Sequence, residues 1–136
     1  MSDKKIFADT SAWIVSFKKT GPQKLKDAMK DSIKKNRIVT APFIILELLQ
    51  GCRSREEFTS LKTRMESIEA CSLKELDWEG IYNLGYTLRR KGLTIPTIDI
   101  LISSICIQKG FTLLHHDRHF RMIAENSELD ALDFLN

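Results

Sequence analysis

Apolar residues follow two rhythms along this chain. Short, mainly apolar runs such as Ile6-Phe7-Ala8, Ile38-Val39 and Phe111 to Leu114 alternate with longer stretches whose apolar positions recur at helical spacing. The first rhythm predicts strands buried on both faces, the second predicts amphipathic helices. Strands are expected at 6–8, 37–40, 111–114 and 132–135, with a weaker one at 71–76. Helices are expected after Asp9-Thr10-Ser11 and over 23–35, 43–49, 54–68, 77–91, 97–109 and 117–124. Side chains able to cap a helix stand at the starts, among them Asp9, Asp77, Asp117 and Ser54, the last forming a capping box with Glu57. Pro22 and Pro42 open helices, and Gly51, Gly92 and Gly110 close them. Trp13 is assigned to the core, and Trp78, Ile81, Tyr82, Leu84, Gly85 and Leu88 to the inward or partly inward face of their helix.

Strands alternating with helices predict an α/β fold, a three-layer α/β/α sandwich with a central mainly parallel sheet of four or five strands. Residues 1–136 are expected to form one domain, a length that buries a core without staples. Crossovers in such sheets are right-handed, and ligands bind beyond the carboxyl ends of the strands. Asp9 and Asp117 each follow a predicted strand, which makes them candidates for that position.

Composition narrows the picture only slightly. Hydrophobic residues make up 43% and charged residues 29%, as in folded domains. A net charge of +3 permits contact with nucleic acid without requiring it. Cys52, Cys71 and Cys106 are odd in number and lack metal-ligand spacing, so free thiols are expected. The longest apolar segment, Ile98 to Ile107, is interrupted by Asp99, Ser103 and Ser104 and is too short to span a bilayer. With no signal peptide visible, the expected location is the cytoplasm.

The carboxylates carry the chemistry. Asp9 and Asp117 each have a plain alternative as helix caps, and Asp99 one as a first-turn acid favoured by the helix dipole. Glu47 lies deeper, inside Phe43-Ile44-Ile45-Leu46-Glu47-Leu48-Leu49. A carboxylate buried there without a partner costs several kcal/mol, on the order of a buried unpaired ion. Either that helix edge reaches solvent or a cation compensates. Two acids in the two most apolar helices and two at strand ends suggest one acidic cluster, and oxygen-only ligands suit magnesium or manganese rather than zinc. Such ions lower the pKa of bound water and neutralise a phosphodiester leaving group.

These residues resemble the motifs of the PIN-domain ribonucleases, and within them the VapC toxins of VapBC toxin–antitoxin pairs. Ile6-Phe7-Ala8-Asp9-Thr10-Ser11-Ala12-Trp13 is similar to the strand-one aspartate motif, and Phe43 to Gly51 to the glutamate helix. Thr97-Ile98-Asp99-Ile100-Leu101-Ile102-Ser103-Ser104 is similar to the third acidic motif, and Leu113 to Phe120, containing Asp117, to the last. The resemblance implies an endoribonuclease using Mg2+ or Mn2+, cutting RNA such as tRNA or rRNA. Asp9, Glu47, Asp99 and Asp117 would be both the catalytic and the metal residues, with Asp9 central and Glu47 a ligand or a water-orienting group. It also implies a VapB-type antitoxin as partner and a homodimer. The antitoxin is expected over the helices at Phe43–Gly51 and 54–68, with Phe58, Leu61 and Met65 in contact or in the core.

Ser11 is a candidate for substrate contact, with helix capping as the alternative. Lys18 and Lys19 belong to an early basic cluster that could steer RNA. His115 occupies a position where many relatives have Thr or Ser. For His115, His116 and His119 a solvated or helix-start role stands beside contact with phosphate or metal. Two other classes compete. One is a catalytically inactive PIN-like module that binds RNA or protein, which predicts a missing acid. The other is a phosphoaspartate receiver, which leaves Glu47 and Asp99 without a role.

Overall fold

In the computed structural model, residues 4–135 are described, and they contain a five-stranded, wholly parallel sheet. Its order is β3-β2-β1-β4-β5, with β1 at Ile6–Ala8, β2 at Ile38–Thr40, β3 at Glu69–Ala70, β4 at Thr112–His115 and β5 at Ala131–Asp133. The three inner strands are buried throughout, which is why they read as apolar runs rather than alternations.

Among the described residues, seven helices fill the connections. These are α1 (Thr10–Phe17) and α2 (Gln23–Lys34) before β2, α3 (Pro42–Gln50) and α4 (Arg55–Glu66) before β3, α5 (Trp78–Arg90) and α6 (Thr97–Lys109) before β4, and α7 (Arg118–Glu125) before β5. The chain moves outward one way from β1 to β3, then crosses back to β4 and moves the other way. Right-handed crossovers therefore put α1 to α4 on one face and α5 to α7 on the other. Strands β1 and β4 are paired neighbours whose following helices leave on opposite faces. A crevice opens between such strands at their carboxyl ends.

Local chemistry sets the helix boundaries. The side chains of Asp9, Ser54, Asp77 and Asp117 each accept a backbone N–H in the first turn of α1, α4, α5 and α7. Gly110 ends α6 in the left-handed region at φ 72°. A Cβ there meets nothing within 4 Å, so the cost of Gly110→Ala is backbone strain alone. The substitution is expected to lower stability by about 1 kcal/mol. An unchanged urea midpoint would contradict this account of the cap.

The structure corrects several sequence expectations. The third strand is Glu69–Ala70 rather than 71–76. Beyond Cys71, whose N–H still donates to the Thr40 carbonyl, the Ser72 hydroxyl accepts the Lys74 N–H and Glu75 takes φ 62°, so the chain turns away. Trp78 and Tyr82 are exposed, not inward, because α5 turns Ile81 and Leu88 toward the core and leaves its Trp78–Tyr82–Tyr86 side in solvent. Met65 is almost fully buried and belongs to the core, which removes it as a docking residue. Trp13 is core, as expected. All three cysteines are free, and burial pushes the Cys106 thiol well above its ordinary range.

Candidate active site

Asp9 and Asp117 follow the adjacent strands β1 and β4, and Asp99 sits in the first turn of α6. Strand pairing fixes the first two. Ala8 is in register with Leu114, and the Asp9 N–H donates to the Leu114 carbonyl at 3.1 Å. Asp9 is 5% exposed and Asp99 8%.

The Asp9 carboxylate is held tightly. Its Oδ1 accepts the Ser11 hydroxyl at 2.6 Å and the Ala12 N–H at 3.1 Å. Burial nevertheless raises its pKa from 3.8 to about 6, with repulsion from Asp117 adding to the rise and the Ser11 and Ala12 hydrogen bonds opposing it. Asp99 is also raised from 3.8 to about 6, first by burial, then by repulsion from Asp117 and Glu47, with His119 acting the other way. These mutual repulsions bring all four acids into one electrostatic neighbourhood.

Glu47 differs from the other three. It is exposed on α3, so solvent at the helix edge excuses the carboxylate on so apolar a segment. Its Oε1 accepts the Thr10 hydroxyl at 3.1 Å, which ties α3 to the start of α1. Of the two alternatives for Glu47, the structure selects the helix edge that reaches solvent, and Glu47 still repels Asp99.

Ser11 has its hydroxyl engaged twice, donating to Asp9 and accepting the His116 N–H at 2.9 Å. It thus ties the end of β1 to the segment leading into α7. His115 is fully buried against Phe120, and its Nδ1 accepts the Asp117 N–H at 3.2 Å. Its side chain has no surface to offer a substrate, which corrects both the contact and the solvated readings. Burial lowers its pKa below the ordinary 6.5, leaving a neutral ring that orients Asp117. Lys18 and Lys19 are exposed beyond the last residue of α1. At about 1.5 Å per residue, this eight-residue helix puts them about 12 Å from Asp9. They lie beyond the opposite end of α1 from Asp9.

One of the three histidines, at a helix start as expected, also stands in the cluster, in line with the metal-contact alternative. His119, in the first turn of α7, has Nδ1 at 3.2 Å from Asp117 Oδ1 and 3.5 Å from Asp99 Oδ2. Its position two residues after a candidate acid was the only sequence signal. Thr10 was passed over, although it sits beside Asp9.

Asp99, Asp117 and His119 offer ligand atoms that all lie within 4.8 Å of one another, close enough to hold a metal ion. Buried carboxylates that resist ionisation and repel each other suit a cation, whose charge offsets both penalties. Among the described residues, none of the four acids is in an ion pair with lysine or arginine.

The family model described as "PIN domain" matches residues 6–126. The chain belongs to the PIN-domain family. Among similar curated proteins are the VapC ribonuclease Mb1587 of Mycobacterium bovis and ribonuclease VapC11 of Mycobacterium tuberculosis. Each is 28% identical over 132 residues, covering 95% of this chain and 98% of the relative. The fold of this PIN domain is similar to VapBC2 from Rickettsia felis bound to a promoter DNA fragment, with TM-score 0.76 at 22% identity over 94% of this chain and 97% of that one. It is also similar to FitAcB from Neisseria gonorrhoeae, with TM-score 0.71 at 14% identity over 93% and 96%. No helix among the described residues of this PIN domain is long and apolar enough to cross a membrane.

Proposed function

We propose that this PIN domain is a divalent-metal-dependent endoribonuclease and the toxin of a type II toxin–antitoxin pair. The observation that carries the reading is the convergence of Asp9, Asp99, Asp117 and Glu47 at the carboxyl ends of β1 and β4, where the acids repel one another. RNA is taken as substrate because the relatives bear the name ribonuclease. The whole chain, 1–136, acts as one unit, in the cytoplasm.

Asp9, Asp99 and Asp117 hold Mg2+ or Mn2+, with Glu47 as a further ligand or as the group that orients water. When bound, the cation supplies Lewis-acid stabilisation of the phosphodiester and lowers the pKa of water. Ser11 fixes the Asp9 rotamer, His115 orients the Asp117 backbone, and Thr10 steadies Glu47. Because Glu47 is exposed while Asp9 and Asp99 are buried, Glu47 lies at the solvent side of the pocket, where a proton from attacking water is accepted. Lys18 and Lys19 contact an RNA strand that extends past the pocket.

The partner is a VapB-type antitoxin, and the toxin forms a homodimer. Ile14 and Phe17 on α1 and Leu46 on α3 are exposed apolar side chains beside the pocket elements, with half-buried Phe58 and Leu61 on α4. This surface, rather than Met65, receives the antitoxin.

The test is RNA cleavage by purified, antitoxin-free protein with Mg2+, Mn2+ or EDTA, alongside Glu47→Gln. Cleavage is expected only with metal, and Glu47→Gln is expected to slow it on the order of a hundredfold, as for loss of a proton acceptor. Cleavage that persists in EDTA would sink the metal-dependent reading. Full activity of Glu47→Gln would remove Glu47 from the reaction.

A further inference from the structure

We propose that His119 is itself a ligand of the metal site, making it a mixed nitrogen–oxygen centre that favours Mn2+ over Mg2+. The inference rests on the metal-site reading above and extends it to a residue which an all-carboxylate site leaves without a role.

The geometry supports coordination over simple pairing. His119 Nδ1 lies within ion-pair distance of both Asp99 and Asp117, yet this atom is buried without a hydrogen-bond partner, while the rest of the ring is partly exposed. An imidazole placed to buttress a carboxylate donates its N–H along the contact, and neither contact here is a hydrogen bond. Two ligands at right angles on one ion with bonds of about 2.1 Å stand about 3 Å apart. The observed 3.2 and 3.5 Å are close to that separation. The backbone also holds the ring in place. The His119 N–H donates to Asp117 Oδ1 at 2.8 Å, which caps α7 and sets ligand and ring on one turn.

The consequence is selectivity. Magnesium keeps to oxygen ligands and water, whereas imidazole suits transition ions. One nitrogen among carboxylates shifts the site toward manganese without excluding magnesium.

The experiment uses the full chain and Mn2+ alone as probe. Binding is read by the loss of the free Mn2+ electron-paramagnetic-resonance signal, and coordination by electron spin-echo envelope modulation. Wild type is expected to bind Mn2+ and to show nitrogen modulation that disappears in His119→Ala and persists in His116→Ala. The His119→Ala change is expected to weaken Mn2+ about tenfold, as for loss of a group that tunes a metal site. Mg2+, measured by competition, is expected to change less than about twofold. Labelling wild type with 15N-histidine must change the modulation frequency, which assigns the nitrogen without any substitution. Mn2+ bound with no nitrogen modulation, or with modulation that survives His119→Ala, overturns the ligand role and leaves the carboxylate site standing. Failure of wild type to bind Mn2+, or equal binding by Asp99→Asn, overturns the metal-site reading and this inference with it.

Discussion

Asp9→Asn is expected to abolish RNA cleavage while leaving the fold intact. The side chain sits where β1 ends, is almost fully buried, and is held by the Ser11 hydroxyl and the Ala12 N–H. Asparagine keeps an oxygen for both hydrogen bonds, so the cap of α1 survives. What it removes is the negative charge that would hold the cation. Losing one central electrostatic element of an active site costs roughly a hundredfold to a thousandfold in rate, and more where the metal itself is lost. The check is single-turnover cleavage of RNA at saturating Mn2+, with circular dichroism on the same samples. Wild-type rates in Asp9→Asn would remove Asp9 from the centre of the site.

The second large effect is on stability, and its sign depends on pH. Asp9 has its pKa raised from 3.8 to about 6 in the folded protein. A raised acid favours the fold fully below the unfolded value and loses that contribution as pH climbs through the folded one. Without metal, Asp9 therefore penalises the folded state increasingly between pH 4 and 6. The shift corresponds to about 3 kcal/mol at neutral pH, at about 1.4 kcal/mol per pKa unit. Asp99 acts in the same direction. His115 acts in the opposite direction, since its lowered pKa costs stability as pH falls below 6.5. Comparing Asp9→Asn with wild type cancels the common histidine. Metal-free Asp9→Asn is expected to match wild type near pH 3 and to exceed it by about 3 kcal/mol at pH 7.5. Adding a cation to wild type at a hundred times its Kd returns about 2.7 kcal/mol by mass action. Denaturant titrations at both pH values check this, and equal midpoints at pH 7.5 would refute the burial penalty at Asp9. An acid that weakens the metal-free fold and is rescued by cation binding is maintained for chemistry rather than for stability.

Much of the fold was legible because local signals agreed with it. The caps at Asp9, Ser54, Asp77 and Asp117 all make their expected first-turn hydrogen bonds. The inner strands read as apolar runs because both their faces are covered. The failures have a common cause. Glu69 and Ala70 are exposed, so no apolar run marked β3, and pairing with β2 alone makes it a strand. The outer side of α5 carries Trp78, Tyr82 and Tyr86, and apolar character without packing partners cannot show which way a helix turns.

The sequence by itself determined the alternation of strands and helices, the parallel α/β class, and the four acids with their places at strand ends and in apolar helices. Side-chain type and spacing are enough for that, because caps and periodicity act within one or two turns of chain. Only the tertiary structure decided which groups share the pocket. Pairing of β1 with β4 across more than a hundred residues sets Asp9 beside Asp117, and the packing of α6 and α7 brings Asp99 to His119. It also chose the solvent-facing alternative for Glu47 and enclosed His115, whose expected roles were at the surface. Burial, and with it the raised pKa values of Asp9 and Asp99, depends on what distant segments place over a residue.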